Sequence, residues 1–165
     1  MISKKNPAWL EAHVKLQDSM KKEIEAMREI LANMHQEEYF LLSNDKASRA
    51  HVLEERSLLL GRFNDLRKTR LSATEILEAL SFPGCDPETM SLEECLAQNN
   101  EDSCETLFLR DQLTAIFDRM TMQNSRNQLL FKLKQNQSLG GCHHELPKPA
   151  KRKISIETIP RNHIE

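Results

Sequence analysis

The first long pattern of hydrophobic and polar positions spans residues 7–42 and predicts one helix. Pro7 suits the first helical turn, and neither glycine nor a further proline follows before Leu42. Large apolar side chains recur in steps of three and four, interrupted only by Glu38, at Met20, Ile24, Met27, Leu31, Met34 and Leu41. Such spacing places them on one face of an amphipathic helix, which needs a partner helix to cover it.

A second helix is predicted over residues 46–81, after a turn at Ser43, Asn44 and Asp45. Its ladder again steps by three and four residues, through Val52, Arg56, Leu59, Phe63, Leu66, Arg70, Ala73, Leu77 and Leu80. Two arginines interrupt the ladder. Because an arginine can lay its aliphatic stem along a seam and keep its head in water, the pattern favours an antiparallel coiled-coil hairpin.

The region after residue 81 changes to an acidic connector. Two prolines and a glycine end the second helix, and residues 81–105 contain seven Asp or Glu and no Lys or Arg. Ser91 and Glu94 have capping-box spacing, which predicts a short helix over residues 91–98. A last long helix is predicted over residues 104–139, although amide side chains crowd its second half, so that half is expected to pack less tightly.

These elements predict an all-α fold: a long antiparallel hairpin, a third long helix and a short connector helix. Residues 1–139 would form the helical bundle, and residues 140–165 a flexible basic tail. A composition of 39% hydrophobic and 29% charged residues, with a net charge of −2, is typical of one soluble domain. With neither a 20-residue apolar run nor a secretory signal, the chain is expected in the cytoplasm.

The candidates for chemistry are few, and we expect neither an enzyme nor a bound cofactor. Cys142, His143 and His144 follow two glycines and could hold a zinc or copper ion with help from His163 or another chain, but adjacent side chains rarely converge on one ion. The chain is slightly acidic, and no aromatic residues interleave with its basic cluster, which argues against nucleic acid as a partner. Three further histidines share no metal-binding turn: His13, His35 and His51.

Several segments resemble, in the same order, those of the FlgN-type flagellar type III export chaperones. The amphipathic first helix and its polar break are followed by the acidic, basic and leucine-rich segment at 53–60, Leu-Glu-Glu-Arg-Ser-Leu-Leu-Leu. The segment at 124–130, Asn-Ser-Arg-Asn-Gln-Leu-Leu, resembles the family's Asn-x-x-Asn-x-x-Leu-Leu stretch. The segment at 151–156, Lys-Arg-Lys-Ile-Ser-Ile, is similar to the tail of some members. The acidic connector is longer than the family pattern.

The resemblance implies a cytosolic chaperone that binds amphipathic C-terminal helices of hook-associated junction subunits. The last helix would present to the client Leu113, Ile116, Phe117, Met120, Asn124, Asn127, Leu129, Leu130 and Phe131. The two asparagines would register the client by hydrogen bonds or simply face solvent. Apolar burial at about 25 cal/mol per Å², less the cost of ordering two partners, predicts micromolar affinity.

The tail would dock on the export gate or the ATPase complex through Lys151, Arg152, Lys153, Ile154 and Ile156. One alternative is a coiled-coil stalk component of a secretion ATPase, of the FliJ or YscO type, which should be a nearly uninterrupted two-helix hairpin. The other alternative is a metal-binding regulator. The chain is expected to be a monomer or a weak homodimer without membrane insertion, and both flagellar and non-flagellar secretion systems stay open.

Overall fold

The computed structural model describes residues 7–81, 92–98 and 104–139. Within these ranges the chain forms four helices and no strand: α1 (Pro7–Leu42), α2 (Lys46–Ser81), α3 (Leu92–Gln98) and α4 (Cys104–Leu139). The prediction of an all-α fold with a helical hairpin and a third long helix is confirmed, and each helix end lies within one residue of its predicted position. Ser91 and the predicted tail, residues 140–165, lie outside the described residues.

The turn between α1 and α2 is short because local hydrogen bonds close both helix ends. Asn44 has a φ of 58°, the left-handed conformation that asparagine tolerates better than most residues. The backbone N–H of Asp45 donates to the Phe40 carbonyl at 3.0 Å, which closes the end of α1. The carboxylate of Asp45 then accepts from the backbone N–H of Ser48 at 3.0 Å and caps the start of α2. Each turn residue therefore ends one helix or starts the next.

α1 and α2 lie antiparallel along their whole length. At one end, the indole N–H of Trp9 donates to Ser81 Oγ at 2.9 Å, which joins the start of α1 to the end of α2. Towards the other end, Arg56 Nε donates to Asn33 Oδ1 at 2.8 Å. The sum of the paired residue numbers is almost constant, as an antiparallel hairpin requires.

α4 packs along α1 in the parallel direction. His13 Nε2 lies 2.8 Å from Thr106 Oγ1 at the start of both helices, and Asn127 Nδ2 donates to the Met34 carbonyl at 2.8 Å further along. α1 is the central helix, since it packs extensively against both α2 and α4, whereas within the described residues the backbones of α2 and α4 rarely come close and the two helices meet near the turn through Arg49 and Phe131. The architecture is therefore up, down and up, organised around α1.

One apolar core joins all four helices. The stripe predicted on α1 supplies most of it, and α3 adds Leu92 and Leu96 at the end where α1 begins. In the middle of α2, Leu59 and Phe63 are only partly buried, because α4 does not cover that flank. No helix in the described ranges is both long enough and apolar enough to cross a bilayer.

The two arginines in the α2 ladder differ from the prediction, which left their heads in water. Arg56 is 9% exposed, and its guanidinium donates to Glu37 and Asn33. The guanidinium of Arg70 pairs with Glu23, a carboxylate buried on α1. The seam contains acids on α1 opposite these arginines, and burying a charge requires such a partner.

Candidate partner-binding surface

The inner face of α4 is the side that packs against α1. Three residues predicted to contact a client, Leu113, Ile116 and Met120, lie on this face and are at most 8% exposed. They belong to the same apolar cluster as the α1 stripe. The prediction that the last helix exposes them is therefore wrong. The apolar face of α1 is wide enough to cover two helices, and packing α4 against it removes these side chains from water.

Asn127 also lies on the inner face and is only 2% exposed. Its Nδ2 donates to the Met34 carbonyl at 2.8 Å and to Glu37 Oε2 at 2.9 Å, while its Oδ1 accepts from Gln123 Nε2 at 2.9 Å. Asn127 therefore neither faces solvent nor offers its amide to a client, and it fixes α4 to α1. Asn124, three residues earlier, is exposed.

Glu37 is the centre of a polar cluster that joins α1, α2 and α4. Its Oε2 accepts from Arg56 Nη1 at 2.7 Å and from Asn127, and its Oε1 accepts from Arg49 at 3.2 Å. Burial raises the pKa of Glu37, but the hydrogen bonds from Arg56, Asn127 and Arg49 and the charge of Arg56 together outweigh burial, and the pKa lies below its ordinary value. We call these residues, together with Asn33, the Glu37 cluster.

The second half of α4 is held to α1 mainly by polar groups. Gln123 Nε2 donates to Glu38 Oε2 at 2.6 Å, and Arg126 pairs with the other oxygen of Glu38 at 2.7 Å. Beyond Met120, the buried residues of the described part of α4 are Gln123 and Asn127. Two amide side chains of this half, those of Gln123 and Asn127, therefore bind acidic residues on α1. Within the described residues, every buried side-chain nitrogen and oxygen has a hydrogen-bond partner.

Besides the exposed Asn124, four apolar residues of the predicted client-binding set are wholly or partly accessible. Phe117 is 38% exposed and Leu129 is 59% exposed, whereas Leu130 and Phe131 are half-buried. The guanidinium of Arg49 lies 4.2 Å from the centre of the Phe131 ring, a cation–π contact that covers one face of the ring. Only part of the predicted set is therefore on the surface, and its members do not share one face.

An apolar stripe lies on the opposite side of α4, and of its members only Leu129 was predicted to bind a client. Phe108 is 60% exposed, Met122 73%, Leu129 59% and Leu133 49%, and the exposed Ala115 lies between the first two. Four of these positions are seven residues apart, so on a straight helix they drift by only about 20° per step. That seven-residue spacing is the signal that could have revealed them. We call these five residues the outer stripe.

A cleft of about 440 Å³ opens beside the α1–α2 turn, between the turn and the second half of α4. Its floor is apolar, and its walls carry three cationic side chains and one acidic one. It is lined by Phe40, Leu41, Asn44, Asp45, Lys46, Arg49, Phe131, Lys134 and Gln135. We call it the tip cleft, and no residue of the outer stripe lines it.

Two titratable groups at the other end of the bundle, Cys95 and Glu78, have raised pKa values. Burial raises the pKa of the Cys95 thiol, and the nearby Glu78 carboxylate raises it further. Burial also raises the pKa of Glu78 itself. Cys104 is exposed. Among the described residues, no three His, Cys, Asp or Glu side chains are grouped so that they could hold a metal ion.

The residues predicted to dock on the export apparatus lie outside the described residues: Lys151, Arg152, Lys153, Ile154 and Ile156. The same holds for Cys142, His143 and His144, the candidate metal ligands. No family model, curated protein or solved structure matches the chain. The fold is that of an all-α protein with three long helices, and exposed apolar side chains lie along one side of α4.

Proposed function

We propose that this chain is a cytoplasmic export chaperone that binds an amphipathic helix of a secreted subunit along the outer stripe of α4. The observation that carries the proposal is the outer stripe itself. Apolar side chains that recur every seven residues along one solvent-facing side of a helix can form a seam against a partner helix. A helix that is apolar on two faces has one face for its own core and a second for a partner.

The outer stripe has dimensions that suit a helical client. From Phe108 to Leu133 it covers 25 helical steps, which at about 1.5 Å per residue is about 37 Å. An amphipathic helix of similar length, apolar at every third or fourth residue, could lie along it in the mode by which helices recognise each other's apolar faces. Met122, near its centre, is unbranched and adapts to different partner shapes.

The nature of the client and its destination rests on the resemblance to FlgN-type chaperones. That resemblance implies C-terminal helices of hook-associated junction subunits as clients and a type III export apparatus as the destination. Covering such helices would prevent premature assembly. The stripe is narrow and open to water, which favours micromolar affinity and ready release. The alternative, an ATPase stalk, predicts two helices, whereas α4 adds a third long helix along α1.

The proposal is tested with a synthetic peptide of a hook-associated subunit's C-terminal helix, titrated into the full chain by calorimetry. We expect micromolar binding that weakens at least about tenfold, about 1.4 kcal/mol, in the triple variant Phe108→Ser, Met122→Ser, Leu129→Ser. Because these side chains lie in solvent, the variant should keep its helical circular dichroism and nearly all its stability.

The matched control is Leu58→Ser on α2, a side chain that is 77% exposed and lies outside the outer stripe. This control should bind the peptide as tightly as the parent chain. Unchanged binding by the triple variant, or equal loss in the control, would overturn the assignment of the site. A variant such as Leu113→Ser would not test client binding, because Leu113 is a core residue and its replacement would change the stability of the bundle.

Delivery is tested separately from binding. Removing the residues after Gly141 takes away Lys151, Arg152, Lys153, Ile154 and Ile156 and leaves α4 intact. We expect the truncated chain to bind the client peptide normally and to deliver less client in a secretion assay. Loss of peptide binding on truncation would refute this division of roles.

A further inference from the structure

The floor of the tip cleft can take up a large apolar side chain. Leu41 is 4% exposed, and Phe40 and Phe131 are half-buried with surface towards the cleft. The volume of about 440 Å³ lies within the range of about 300–1,000 Å³ that binding sites occupy. Such a floor has room for one or two apolar side chains of a bound segment.

The walls of the cleft select for negative charge. Lys46, Arg49 and Lys134 line it, and among the lining residues only Asp45 is acidic. Both oxygens of Asp45 accept hydrogen bonds from Ser48, at 3.0 Å from its backbone N–H and at 2.7 Å from its hydroxyl, and the backbone bond lowers the pKa of Asp45. This carboxylate is therefore already committed to capping α2.

The remaining charges keep the cleft cationic. Arg49 lies over the Phe131 ring and pairs with Glu37, but Glu37 is shared with Arg56, so the three together carry a net positive charge. Lys46 is exposed at the first position of α2 and makes no ion pair within the described residues. An apolar floor below a cationic wall fits a ligand that is both apolar and anionic.

We propose that the tip cleft is a docking site for an acidic peptide segment of a partner protein, in which a large apolar residue is flanked by carboxylates. The apolar side chain packs on Phe40, Leu41 and Phe131, and a flanking carboxylate pairs with Lys46. Charge complementarity argues against the chain's own basic stretch, residues 151–153, as the occupant. The site is separate from the outer stripe and does not rest on the function proposed above.

The probe is a fluorescein-labelled hexapeptide with capped ends, made of two aspartates, a leucine, a phenylalanine and two further aspartates. Fluorescence anisotropy is measured while the full chain is titrated into the probe. A first control peptide has lysines in place of the aspartates, and a second has alanines in place of the leucine and phenylalanine. We expect the acidic apolar peptide to bind at least about tenfold more tightly than either control.

Two charge-reversed proteins provide a matched pair. Lys46→Glu should weaken binding about tenfold, which corresponds to about 1.4 kcal/mol, and a glutamate in the first turn of α2 is compatible with folding. Lys132→Glu makes the same charge change next to Phe131 at an exposed position that does not line the cleft, and it should alter binding less than about twofold. A third variant, Phe131→Ser, tests the floor and should also bind weakly.

Several results would overturn the proposal. They are an equal affinity for the lysine peptide, an equal loss in Lys132→Glu and Lys46→Glu, and no saturable binding of the acidic peptide. Sedimentation velocity at the concentrations of the assay gives a further check. A dimer of the parent chain that Lys46→Glu abolishes would assign the tip cleft to a second copy of this chain and not to a partner peptide.

Discussion

The two ends of the helical bundle are held together by different chemistry. At the end where α1 begins, which we call the closed end, Trp9, Leu77 and Leu96 are at most 1% exposed and pack in one apolar cluster. At the other end, which we call the turn end, the Glu37 cluster joins the three long helices, and the tip cleft opens beside it. Apolar packing holds the closed end together, whereas ion pairs and hydrogen bonds hold the turn end together.

The two ends therefore have different roles, one in the stability of the bundle and the other in the alignment of its helices. Apolar burial is non-directional and scales with the area removed from water, so the closed end should contribute most of the stability. A buried ion pair adds little net stability, but it penalises any arrangement that leaves one charge unpaired. The turn end should therefore fix how α2 and α4 align on α1 while leaving surface available for binding.

The largest expected effect comes from breaking the closed end. Trp9→Ala should lower the free energy of unfolding by about 3–5 kcal/mol, because it leaves a large cavity in the core. Urea denaturation followed by circular dichroism measures the loss. Tyr39→Ala, at a side chain that is 66% exposed near the turn end, should change stability by less than about 0.5 kcal/mol. A loss below about 1 kcal/mol for Trp9→Ala would contradict tight packing at the closed end.

A smaller effect should follow from removing the carboxylate at the turn end. Glu37→Ala should cost about 3 kcal/mol, because Arg56 is then left buried without its counter-charge. Combining it with Arg56→Leu should recover part of that loss, since the unpaired charge disappears with the arginine. A double-mutant cycle on urea denaturation measures the coupling. Additive losses would show that the two side chains do not depend on each other.

Acid should affect the two ends in opposite directions. The pKa of Glu37 lies below its ordinary value of 4.5, so its stabilisation is present above that value and is lost as the pH falls through the lowered pKa. The pKa of Asp45 is also lowered. At the closed end the pKa of Glu78 is raised, and protonation there removes the unfavourable charge of a partly buried carboxylate.

The measurement is amide hydrogen exchange along α1 as the pH is lowered from about 7 to below about 4.5, corrected for the intrinsic exchange rate. Protection near Glu37 should fall before protection near Trp9. In Glu37→Gln this difference in pH dependence should diminish, because the titrating group is gone. Simultaneous loss at both ends in the parent chain would show that the bundle opens as one unit.

The smallest expected effect lies between the two ends. Gly61 sits in the middle of α2, and apart from its chain neighbours and the adjacent backbone of its own helix, no atom lies within 4 Å of the position that a Cβ would occupy. Gly61→Ala should therefore raise the free energy of unfolding by about 0.5–1 kcal/mol through helix propensity alone. Thermal unfolding measures the gain. A decrease would indicate a contact on this face of α2 and would weaken the division into two ends.

The limits of the helices were predictable because their signals are local. Pro7 suits a first helical turn, and the turn at Asn44 and Asp45 depends on side chains that bond to their own neighbourhood. The stripe of α1 was also predictable, since periodicity alone defines it. The candidate site was less predictable, because periodicity marks α4 residues as apolar without indicating which of the two apolar faces packs against α1.

The sequence by itself determined four helices, their lengths and the apolar face of α1, since capping and periodicity act within a few residues. Only the tertiary structure decided that α1 is central, that Leu113 and Met120 are core residues, and that Arg56 and Asn127 share one carboxylate. Those outcomes join residues up to 93 positions apart. They depend on which surfaces meet in three dimensions, and no local pattern records that.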